Sequence, residues 1–166
     1  IFFFILFNFF KMKFFNMNQE DEIKLINSAP TLNFCTIDKE GYPSMRIMAN
    51  LRDSKANPNL ISFFENEVKN PYMTYMTTFI SSKKVEDIKN NNKASLNFID
   101  MSTGCSLTLY GTVVLIEDNE LKKKLWNDAW VRSYKGGIND PNYGILKFNP
   151  MKVRSSSHGK SNEHLC

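Results

Sequence analysis

The chain has 166 residues, 42% of them hydrophobic, enough to build one domain around its own core without disulfides. Its net charge of +4 comes from the ends: Lys11 and Lys13 in residues 1–16, and Lys152, Arg154 and Lys160 against Glu163 in residues 152–166. The body between holds 16 basic and 16 acidic side chains. DNA binders concentrate positive charge on a face of the folded body, so this balance argues against a nucleic-acid role.

Residues 1–10 are nearly all Phe, Ile and Leu, and the chain opens without methionine. A membrane span needs about 20 apolar residues, and Lys11 and Lys13 interrupt this run. A secretory signal would need a positive leading region and a small-residue cleavage site. Residues 1–16 are therefore expected to be non-structural or upstream-translated, with Met12 or Met17 as the natural start. A peripheral anchor is the lesser alternative.

Asn18 is placed to cap a helix through Ile23, Leu25 and Ile26, with Glu20 and Asp21 in the first turn, and Ala29-Pro30 stops it. Residues 31–38 read as a strand, Lys39-Glu40-Gly41 as a hairpin turn, and residues 42–51 as the returning strand. On that second strand Arg46 lies on the opposite face from Met45, Ile47 and Ala49. Residues 52–71 read as a long loop with one helical turn. Residues 72–79 form a third strand, and Ser82 opens a helix with Val85 and Ile88 inward.

Residues 93–101 and 105–117 read as strands joined at Ser102-Thr103-Gly104, the second bent or bulged at Gly111. Asp118 begins an amphipathic helix that buries Leu121, Leu125, Trp126 and Ala129 and turns Lys122, Lys123 and Lys124 to solvent. Residues 143–149 are the last expected strand. Beyond Pro150 no apolar period is visible, so 151–166 reads as a flexible tail and 17–150 as the folded domain. Consecutive hairpins favour a mainly β domain with α: an antiparallel split β-barrel with helices packed outside. A parallel α/β sheet is disfavoured by the hairpin turns and by the absence of a Gly-rich phosphate loop.

Two stretches carry chemistry. Residues 41–48 hold a lone Arg46 in the frame Gly-x-Pro-x-x-Arg-x-Met, and residues 76–84 hold Thr77, Thr78 and Ser82 followed by Lys83. A guanidinium fork, hydroxyl donors and helix-start amides are the groups that hold a phosphate, so a phosphorylated cofactor is expected. Each also has a plain reading: a surface ion pair for Arg46, a solvated first-turn lysine for Lys83, a helix cap for Ser82. Trp126 and Trp130 fall at helical spacing and read as core packing rather than stacking on a ligand.

These blocks, with residues 92–98, 109–113, Leu125-Trp126 and 136–141, resemble the FMN-binding split-barrel family that includes pyridoxamine 5'-phosphate oxidase, and its general stress protein branch most. The resemblance covers about residues 18–150. It implies a homodimer with FMN at the subunit interface. Arg46 and Lys83 would hold the phosphate beside Ser82, with Ile47, Met48 and Ala49 along the isoalloxazine ring and Thr77 and Thr78 on the ribityl chain or ring edge. The implied function is a flavin-dependent oxidoreductase acting on a small molecule. Alternatives are a non-catalytic flavin-binding stress protein, or a barrel holding haem or a deazaflavin.

Two departures separate the chain from the oxidase proper. Ser82 stands where the oxidase has arginine before its lysine, and the oxidase's substrate-binding C-terminal segment has no counterpart. Flavin binding is thus better supported than pyridoxal phosphate synthesis. The histidines, His158 and His164, read as too isolated for a metal site or catalytic pair. Cys35 and Cys105 sit in apolar runs as expected buried thiols, which fits a reducing, cytoplasmic setting.

Overall fold

The structure, a computed structural model, describes residues 17–157 and 159–166. The expected 1–16 segment and His158 lie outside the described residues. The first helix, α1 (Gln19–Ser28), begins as its sequence dictates. Asn18 accepts a hydrogen bond from the Asp21 amide at 2.9 Å, and Asp21 accepts one from the Asn18 amide at 3.2 Å. The remaining helices are α2 (Ile61–Asn66), α3 (Lys83–Asn90) and α4 (Asn119–Lys124).

Among the described residues seven strands build one antiparallel sheet: β1 (Thr31–Ile37), β2 (Pro43–Ala49), β3 (Thr74–Phe79), β4 (Lys93–Asp100), β5 (Cys105–Ile116), β6 (Tyr143–Ser157) and β7 (Lys160–Leu165). Their order is β2-β1-β4-β5-β6-β3, with β7 added on β6. The two ends of that path, β2 and β3, approach each other without forming a ladder. The sheet thus curls into a split barrel with one open seam, as the sequence predicts. Phe34, Leu96, Phe98, Leu107, Leu109, Leu146 and Phe148 fill the inside and are fully buried.

Gly111 marks the bend in β5. The register shifts there, and a Cβ at this position would collide with the Asn149 carbonyl, so only glycine allows the approach. Opposite it sits Pro150, whose missing N–H is tolerated at an irregularity in the ladder.

The strand expected to end at Asn149 runs on to Ser157, and β7 returns along it, so the residues read as a flexible tail are two paired strands. Val153, Ser155 and Ser157 alternate inward and are buried. Two of those inward residues are serines, which is why no apolar period showed. The long helix expected from Asp118 is also shorter. It stops at Lys124, and a 3-10 turn at Asp128–Arg132 carries Trp130. Trp126 and Trp130 pack edge to face, and both meet Tyr143 in a second apolar cluster, as read from their spacing. Cys35 and Cys105 are only half-buried, not fully buried as expected, and no cysteine is in a disulfide.

Candidate functional site

Arg46 projects from β2 on the face opposite the exposed Met45 and Ile47, at the barrel seam. Three neutral acceptors fix its guanidinium. Nη1 donates to the Thr36 Oγ1 at 2.8 Å and to the Phe34 carbonyl at 3.3 Å, and Nη2 donates to the Ser44 Oγ at 2.8 Å. Its carbon lies 5.3 Å from the Phe34 ring centroid. Burial lowers its pKa, and the Asp87 carboxylate opposes that shift. Among the described residues Nε has no acceptor, so the fork keeps donors to spare.

Across the seam, β3 ends and α3 begins. Ser82 occupies the N-cap position with extended backbone, but its side chain makes no capping bond. Instead its hydroxyl accepts from Lys84 Nζ at 3.1 Å and lies 3.3 Å from the Thr78 Oγ1, which also accepts from Lys84 at 3.2 Å. The Lys84 ammonium thus has two acceptors and a third hydrogen free. Burial depresses its pKa and the Arg46 charge adds to the effect. The first-turn amides of Lys83 and Lys84 have no intrahelical acceptor.

Beside Arg46 lies Asp87, buried to 1% exposure. Its Oδ2 accepts from Thr36 Oγ1 at 3.1 Å and sits 3.7 Å from Arg46 Nη2. Its Oδ1 has no hydrogen bond and lies 3.9 Å from Lys83 Nζ.

Thr78 and Ser82 lie together against Lys84, and the Arg46 charge is near enough to act on that ammonium. Lys83 also approaches, through Asp87, but its ammonium is mostly solvent-exposed and pairs with Glu86 at 3.1 Å. Lys84, which sequence reasoning omitted, is the lysine turned inward. Spacing gave no signal, because Lys84 precedes the inward Ile88 by four residues and Lys83 precedes the equally buried Asp87 by four. Thr77 and Thr78 are adjacent on a strand and so face opposite sides. Thr77 meets Tyr134 rather than Lys84. Ile47 and Ala49 are exposed on β2, and Met48 packs against the main core.

A second buried carboxylate lies at another place in the fold. Glu22 of α1 is 1% exposed and its Oε2 accepts from the Tyr72 hydroxyl at 2.6 Å. The His164 Nε2 from β7 is 3.0 Å from the same oxygen. His164, read as isolated, therefore has a partner that was 142 residues away in sequence. Among the described residues no group of three or more His, Cys, Asp and Glu side chains is placed to hold a metal, and no helix is long and apolar enough to cross a membrane.

The profile of pyridoxamine 5'-phosphate oxidase matches residues 20–157. Among curated proteins no relative matches. Of solved structures, a protein related to general stress protein 26 from Clostridium acetobutylicum is 25% identical, with a TM-score of 0.72 over 90% of this chain and 96% of that one. General stress protein 26 from Bacillus anthracis is 21% identical, with a TM-score of 0.65 over 87% of this chain and 97% of that one. A heme binding protein from Mycobacterium smegmatis shares the fold at 13% identity and a TM-score of 0.62, covering 91% of this chain and 60% of that one.

Proposed function

The chain belongs to the pyridoxamine 5'-phosphate oxidase family, and from that footing we propose that it binds FMN and serves as a flavin-dependent oxidoreductase acting on a small molecule. The observation that carries this reading is the pairing of Arg46 and Lys84 across the seam. Each is held by neutral acceptors, and each has hydrogen-bond donors left over. That donor set fits a phosphate: a guanidinium fork, an ammonium, two hydroxyls and the amides of a helix start.

In this reading Arg46, Lys84, Ser82 and Thr78 hold the phosphate, and Lys83 adds positive charge at the rim. Ile47, Met48 and Ala49 lie next to Arg46 along β2, where their backbone would line the ring. Bound FMN would supply the redox chemistry, and the chain's own groups orient it and exclude water. Met45 and Ile47 on the edge strand β2, and Tyr42 just before it, are exposed beside the site, which supports a homodimer that covers this face and completes the cofactor site. The three free cysteines fit a reducing, cytoplasmic compartment.

The test is the purified protein itself. It is expected to be yellow, with flavin absorption bands, and to release FMN on denaturation. A Soret band would assign the barrel to haem, and a colourless protein without FMN affinity would remove the reading. A flavoprotein that turns over no reductant would mark the non-catalytic alternative.

A further inference from the structure

We propose that Asp87 is a counter-ion that holds the ligand-free cation cluster together and weakens its grip on a phosphate dianion, an inference that rests on the phosphate-site reading above. Asp87 is not needed to aim Arg46. The Phe34 carbonyl and the Thr36 and Ser44 hydroxyls already fix the guanidinium. The carboxylate itself receives one hydrogen bond, from Thr36, and its other oxygen is buried with none. A buried, half-satisfied carboxylate is costly unless nearby charge compensates it. Here the compensation is Arg46 Nη2 at 3.7 Å and Lys83 Nζ at 3.9 Å.

The same charge acts in opposite senses on the two states. Without ligand, the charges of Arg46 and Lys84 repel, no other acid among the described residues pairs with the guanidinium, and Asp87 offsets that repulsion. With a dianion bound to the cations, Asp87 is a like charge 3.7 Å from Arg46 Nη2 and repels it. The carboxylate therefore trades phosphate affinity for the stability of the empty site, which keeps the cofactor exchangeable. A ligand lacking the phosphate would not feel this effect.

The experiment titrates ligand-free wild type and Asp87→Asn with FMN and with riboflavin, following flavin fluorescence, and measures thermal melting with and without inorganic phosphate. Asparagine keeps an acceptor for Thr36 and removes the charge. The expected result is FMN binding roughly three- to tenfold tighter in Asp87→Asn, with riboflavin affinity unchanged. The ligand-free melting midpoint falls, and the rise caused by phosphate becomes larger. Asp87→Glu, which keeps the charge, retains the wild-type ratio of FMN to riboflavin affinity. Should Asp87→Asn fail to fold, Asp87→Ser takes its place. FMN affinity that falls, stays the same, or moves together with riboflavin overturns the inference. Wild type that binds neither flavin overturns the functional reading instead, and the phosphate-induced melting shift then decides the role of Asp87 alone.

Discussion

Two buried carboxylates, Asp87 at the barrel seam and Glu22 on α1, meet the same physical problem with different partners. Each is 1% exposed, and each has one oxygen without a hydrogen bond. Asp87 is compensated by Arg46 and Lys83, cations that keep their charge across ordinary pH. Glu22 is held by a phenol and an imidazole, Tyr72 and His164, of which only the imidazole titrates near neutrality. The first arrangement leaves spare positive donors and suits an anion. The second leaves none, and its work is to fasten β7 to α1.

The largest effect expected from breaking this contrast is at Arg46. Arg46→Ala leaves Asp87 with Thr36 and the largely exposed Lys83 ammonium at 3.9 Å, and urea denaturation should show a loss of about 3 kcal/mol. FMN affinity should fall by roughly ten- to a hundredfold, the worth of charged hydrogen bonds. On the other side, Tyr72→Phe removes the 2.6 Å bond to Glu22. A loss of about 2 kcal/mol is expected by the same assay, with flavin affinity untouched.

The two lysines of α3 sharpen the comparison within the seam. Lys84→Ala should weaken FMN binding several-fold more than Lys83→Ala does, because only the Lys84 ammonium is turned to Thr78 and Ser82. Equal losses in fluorescence titrations would return Lys83 to the central role the sequence suggested.

The smallest effect concerns pH. Burial alone would lower the His164 pKa, but the Leu165 carbonyl and Glu22 outweigh it and raise it above the usual 6.5. A raised folded value means that His164 stabilises the fold fully below about pH 6.5 and loses that contribution as pH rises through its folded pKa. Melting midpoints taken from pH 5.5 to 8.5, as a roughly chosen range around that value, should fall in wild type relative to His164→Gln. Parallel curves would show that the imidazole stays neutral beside Glu22.

Much of the fold was legible because local chemistry wrote it. The Asn18 cap, the glycine turn at 41 with φ +89°, the bend at Gly111 and the alternation that set Arg46 apart from Met45 and Ile47 all hold in three dimensions. The site was legible on β2 and less so on α3. Sequence order made Lys83 and Lys84 near-equivalents, and the residue type alone could not separate them. The strand pair after Pro150 was missed for a related reason. Serines on its inner face carry no hydrophobic signal, and their burial depends on β5 lying across them.

By itself, then, the sequence determined the strands and turns before residue 150 and which face of β2 carries Arg46, because dihedral preference and period two or 3.6 act over a few residues. Only the tertiary structure decided which lysine enters the seam, how far β6 runs and that His164 meets Glu22. Those outcomes depend on what an approaching segment offers a side chain, and the partners are 51 residues apart for Thr36 and Asp87 and 142 for Glu22 and His164.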